Sequence, residues 1–138
     1  MSMMIITQRE DDGRWIADVP SLSGVIVYGA NRDEAITRVK ELALDVIEDR
    51  IEHRESLPVH TGKKSFTIVE SKFNALEPGR LLKALLRSGW TVKREKAGFK
   101  VLERSGHPDF VFAFEDNEEL RVRILDWIIK QSGPLKDL

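Results

Sequence analysis

The stretch DDGRWIADVPSLSGVIVYGANRDEA, residues 11–35, decides how the fold is read. Asp12-Gly13 is a hairpin turn signal, because glycine accepts the positive φ that a tight turn needs. Trp15-Ile16-Ala17-Asp18-Val19 alternates and stops at Pro20. Residues 24–29, rich in Val and Ile, make another strand. Asn31 then has the short polar side chain that caps a helix, and Asp33 and Glu34 fall in the first turn, where the helix dipole favours negative charge.

Outward from that stretch, residues 4–9 are β-rich and supply the first strand. On the other side Ala35, Ile36, Val39, Leu42, Ala43, Val46, Ile47 and Ile51 recur at three- and four-residue spacing. That is the apolar stripe of an amphipathic helix of about five or six turns. Residues 57–64 read as a loop and residues 65–70 as a fourth strand. The pattern then restarts. Pro78 fits the first turn of a helix with Leu81, Leu82, Leu85 and Leu86 on its buried face, and Gly89 stops it. Three strands follow over residues 90–94, 99–104 and 110–114. Asn117 is expected to cap a last helix carrying Leu120, Ile124, Leu125, Trp127, Ile128 and Ile129, ended by Gly133-Pro134. The fold class is therefore α+β. A β-β-β-α-β unit over residues 1–72 precedes an α-β-β-β-α unit over residues 76–138, with the joint at residues 71–77.

A chain of 138 residues with 41% hydrophobic content suits one ordinary domain or two small ones. There is no cysteine, which excludes disulfides and thiolate metal sites. No apolar run approaches the roughly 20 residues that cross a bilayer. The first seven residues are too short, and lack the basic region, for a signal peptide, so the expected address is cytoplasmic. The 22 basic and 23 acidic side chains nearly cancel, but they are unevenly placed. Residues 1–75 hold 10 basic and 13 acidic groups, a balance of −3. Residues 76–138 hold 12 basic and 10 acidic groups, a balance of +2. The two halves are expected to attract each other, or the back half to take an anion.

The histidines His53, His60 and His107 are far apart and lack ligand spacing, so no metal site is expected. Asp11, Asp12 and Asp18 are explained by a turn and a strand. No nucleophile elbow and no phosphate-binding glycine loop is present. What remains is the basic back half. Alternation over residues 90–104 puts Lys93, Lys100 and Arg104 on exposed positions of a sheet, where they are candidates for gripping RNA phosphates.

Two resemblances carry this further. Pro20, Leu22, Gly24, Gly29, Asp33, Glu34 and Ala35, in that order and spacing, make the front half similar to HicB-family antitoxins. That family's fold is a small, partial RNase-H-like unit. The back half resembles HicA toxins, which are double-stranded-RNA-binding-domain-like (dsRBD-like) proteins that cleave messenger RNA. The parallels are the Leu-rich helix ending in Gly89-Trp90, the basic link to Gly98, the turn His107-Pro108-Asp109, and the closing Ile128-Ile129-Lys130-Gln131-Ser132-Gly133. In the family a Gly-Ser-His run opens the middle strand and its histidine is catalytic. Here the run is Gly98-Phe99-Lys100. A lysine with a free pKa near 10.4 is a poor general base at neutral pH. A second expected departure is that Leu120-Arg121-Val122-Arg123 runs on as helix where the family has a break.

The resemblance implies a HicB–HicA-like fusion that has lost its reaction, uses no cofactor or metal, and acts as a binding or regulatory module. The partners implied are RNA, a HicA-type toxin or a second copy of the chain. Operator DNA is not an expected partner, because the HicA-like unit stands where antitoxins carry a DNA-binding tail. The alternatives are an active ribonuclease using Lys100 with another acid or base, and a purely structural assembly module. The run Phe110-Val111-Phe112-Ala113-Phe114 is apolar on both faces and is expected to be covered by the front half, within a homodimer rather than within one chain.

Overall fold

The computed structural model describes residues 4–55 and 75–133. The expected fourth strand at residues 65–70, His60 and most of the expected joint lie outside the described residues. The elements are β1 (Ile6–Arg9), β2 (Trp15–Asp18), β3 (Ile26–Gly29), α1 (Arg32–Glu52), β4 (Ala75–Leu76), α2 (Pro78–Arg87), β5 (Thr91–Lys96), β6 (Phe99–Glu103), β7 (Phe110–Phe112), β8 (Leu120–Arg121) and α3 (Val122–Ser132). The chain is α+β, with antiparallel sheets β1-β2-β3 and β5-β6-β7 and a short β4-β8 pair.

The strand alternation sorts side chains into two cores. Ile16, Ile26, Tyr28, Leu102, Phe110 and Phe112 belong to one, with Leu81 and Leu85 of α2 and Ile124, Leu125 and Ile128 of α3. Ala17, Val27, Phe99, Val101 and Val111 belong to the other, with Ala35, Val39, Leu42, Ala43 and Val46 of α1. Both sheets therefore lie between α1 on one side and α2 with α3 on the other, the usual way for a two-faced apolar sheet to bury itself. Each core takes side chains from the front and the back half. The β5-β6-β7 sheet has no open face at these positions. Leu102, Phe110 and Phe112 are covered by the same chain, so the cover expected from a homodimer is supplied internally. Burial of each phenylalanine contributes about 1.5–3 kcal/mol.

The two sheets meet where the chain enters β3. The Val111 N–H donates to Ser23 O at 2.8 Å, and the Gly24 N–H donates to Gln131 Oε1 at 2.8 Å. Gly24 has φ +85°, and a Cβ there would stand 2.0 Å from the Val111 carbonyl oxygen. Only glycine lets the backbones approach this closely.

Asn31 caps α1 as its sequence predicts, its side-chain oxygen accepting the Glu34 N–H at 2.8 Å. The buried line of α1 departs from expectation at its end. Ile51 is exposed, and the last buried position is Asp49, because the helix there faces an arginine of β5. Leu86 is likewise exposed.

The back half differs most at its closing helix. Asn117 does not cap it, and residues 120–123 do not run on as helix. Leu120-Arg121 pairs as β8 with β4, and α3 starts at Val122 with no side-chain cap from its own N-cap residue. Leu120 is fully buried in the α2–α3 core, which holds this segment extended.

Candidate functional site

The basic run of the back half lies on β5, and a bulge determines where its charges go. Val92 pairs with Leu102 but Arg94 pairs with Val101, so Lys93 is an extra residue in the ladder. Simple alternation would send Lys93 and Arg94 to opposite faces. The bulge re-aims them, and both reach Glu55, just past the end of α1. Lys93 Nζ stands 2.5 Å from Glu55 Oε2 and 2.8 Å from Asp109 Oδ2. Arg94 stands 2.6 Å from Glu55 Oε1 and 2.8 Å from Asp49 Oδ2. Lys96 lies at 3.5 Å from Asp49 Oδ1 and 3.4 Å from Glu52 Oε2.

Three cations of β5 are thus met by three acids from the end of α1 and by Asp109. The hydrogen bonds from Arg94, then Lys93, pull the Glu55 carboxyl down to about 2. Asp109, then Glu55, raise the Lys93 ammonium, and Glu55, then Asp49, raise the Arg94 guanidinium. All three groups stay charged at neutral pH. Asp49 is almost fully buried, and its carboxylate oxygens face Arg94 and Lys96.

The three RNA candidates read from sequence have different surroundings. Lys93 is in the ion-pair cluster. Arg104 lies against Gly89, where a Cβ would be 3.2 Å from Arg104 Nε. Lys100 lines a cleft of about 500 Å³ between α1 and the ends of β6 and β7. Arg38, Lys96 and Lys100 share that wall with Glu41, Asp45, Glu115 and Asp116. A wall with four carboxylates is a poor phosphate cradle.

Asp49, Glu52 and His53 bring ligand atoms within 4.8 Å of one another. The space between the two carboxylates faces the Lys96 ammonium, and Arg94 holds the other Asp49 oxygen, so the local positive charge is already supplied. His53 instead ends α1, its Nδ1 2.8 Å from Asp49 O. His107 is exposed and rests edge-on against Trp90 at 5.6 Å.

Sequence reasoning named Lys93 but passed over Arg94, Lys96, Asp49 and Glu55. Their signal was the opposite charge of the two halves. The bulge that aims them left none.

This is an α+β chain in which an acidic front half and a basic back half share their cores and their ion pairs. It matches a UPF0150 protein of Thermoplasma acidophilum with 31% identity over 58 residues, which is 42% of this chain and 84% of the relative. The chain belongs to the UPF0150 family, a HicB-related group, in agreement with a HicB-like antitoxin domain and a toxin–antitoxin-related module. No family model and no solved structure matches the chain. Among the described residues no helix is long and apolar enough to cross a membrane.

Proposed function

We propose that the chain is a noncatalytic binding and regulatory module of toxin–antitoxin descent, in which a HicB-like front unit, residues 1–72, masks a degenerate HicA-like back unit, residues 76–138. The observation that carries this reading is the neutralisation of Lys93, Arg94 and Lys96 by Asp49, Glu52 and Glu55 of the same chain. RNA affinity rests on cations free to displace counterions from phosphates. With Lys93 committed, the basic strip is reduced to Lys100 and Arg104. A separate HicA-type toxin would have to displace the back unit from its place on α1, so a second copy or a different face is the easier partner.

A second reading, an active ribonuclease, draws on the cleft that Lys100 lines. The four carboxylates on the same wall, Glu41, Asp45, Glu115 and Asp116, disfavour a phosphate bound there. Purified protein incubated with messenger RNA separates the two readings. We expect no cleavage above a buffer control, and no change in Lys100→Ala. Cleavage by the unmodified chain that disappears in Lys100→Ala overturns the noncatalytic reading.

A further inference from the structure

The closing helix α3 of the back half lacks a cap of its own, yet its first amides are satisfied. Arg121, at the N-cap position, has extended backbone (φ −108°, ψ −172°) but makes no side-chain cap. The acceptors come from the front half. Glu10, directly after β1, takes the Arg123 N–H on Oε1 and the Ile124 N–H on Oε2, each at 3.2 Å. These are the second and third helical positions, whose amides a capping side chain normally satisfies. Its remaining contacts are the Asp11 N–H at 3.0 Å and the Tyr28 hydroxyl at 2.8 Å. The Tyr28 oxygen in turn accepts the Arg121 N–H at 3.0 Å.

Glu10 is only 3% exposed. A buried carboxylate is costly unless its oxygens are fully engaged, and four donors from both halves engage this one. Negative charge at this end also suits the α3 dipole. Burial, with the Glu10 carboxylate beside it, pushes the Tyr28 phenol above its usual range, so it remains a donor.

We propose that Glu10 is the N-cap of α3, supplied from the front half across more than a hundred residues of chain, and that the first turn of α3 forms only while the front half is docked. The back half's last helix then reports docking directly. Undocking removes the acceptors of the Arg121, Arg123 and Ile124 amides at once and frays the turn that carries Ile124 into the core. This holds whether or not the back half acts on RNA, because it rests on backbone amides and not on the candidate phosphate-binding cations.

Amide hydrogen exchange on the full chain tests it. Glu10→Gln keeps the shape but replaces one acceptor oxygen by an NH2 group facing an N–H donor. Exchange at Arg123 and Ile124 should accelerate about tenfold, in keeping with the loss of a cap, while amides in the middle of α1 keep their protection. Adding Arg121→Ser, which places a capping hydroxyl at the helix's own N-cap position, should restore much of that protection. Unchanged exchange at Arg123 and Ile124 in Glu10→Gln overturns the proposal. So does acceleration spread evenly over α1 and α3 that Arg121→Ser leaves uncorrected, since a merely structural Glu10 behaves that way.

Discussion

The front half grips the back half with two groups of acids, and they work differently. At one end Glu10 binds backbone amides of α3. At the other, Asp49, Glu52 and Glu55 bind the side chains of β5. The first contact uses partial charges that every helix start presents. The second uses full charges that have to be placed by sequence and by a bulge. The lesson is that charge counting finds only the second kind. The balance of −3 against +2 between the halves anticipates attraction, but says nothing of a carboxylate whose partners are N–H groups.

The comparison depends on the seam between the two ends, and breaking that seam should have the largest effect. Gly24→Ala places a Cβ against the Val111 backbone at a left-handed φ. We expect a loss of roughly 3–5 kcal/mol, or failure to fold, from strain and overpacking together. Thermal denaturation measures it, and a near-wild-type midpoint would contradict the close approach.

Next in size is the side-chain clamp itself. Arg94→Ala leaves Asp49 buried with only the longer contacts to Lys96 and His53. The expected cost is about 2–4 kcal/mol in urea denaturation. Replacing the pair with Asp49→Asn and Arg94→Met should recover much of it, because the buried charge is then gone. If the double variant is no better than the single one, the pair does more than satisfy charge.

Acid should loosen the clamp in a defined window. Glu55 is held at about 2 against an ordinary 4.5. A lowered folded-state value stabilises above the unfolded value, and the contribution is lost as pH falls from about 4.5 towards 2. After allowance for solvent at this partly exposed site, about 1–2 kcal/mol should disappear over that interval. Glu55→Gln should flatten the difference between pH 5 and pH 3, and an unaltered slope would remove Glu55 from the explanation.

The smallest effect belongs to Lys100. It is half-buried on the cleft wall and carries no cap, seam or buried pair, so Lys100→Ala should shift stability by no more than about 0.5 kcal/mol. A larger loss would mean that the cleft is held together through this lysine.

The same contrast explains how much of the molecule was legible in the sequence. Residues 11–35 announced a turn, two strands and the Asn31 cap, and each is where it was read, because turns, alternation and local caps involve neighbours in the chain. The start of α3 was misplaced because its cap, Glu10, lies more than a hundred residues away. Lys93 was assigned to the wrong company because alternation assumes an unbroken ladder. The double-sided burial of residues 110–112 was anticipated from composition, but the cover was expected from a second chain and comes from the same one, α1 over Val111 and α2 with α3 over Phe110 and Phe112. Gly24 stood out as a motif residue. Its physical reason, contact with Val111, needed the back half in place.

The bulge at Lys93 also acts as a phase shifter within β5. Thr91 and Val92 keep one rhythm of inward and outward positions, and Arg94, Glu95 and Lys96 keep the opposite one. An alignment or redesign that treats the six residues as a single uniform strand will mislabel the face of half of them. Deleting Lys93 alone would make the ladder regular and keep Arg94 opposite Val101 on the α1 side, so Glu55 would retain Arg94 and lose its second cation. The number of residues in this strand, as much as their chemistry, therefore encodes which part of the chain its charges meet.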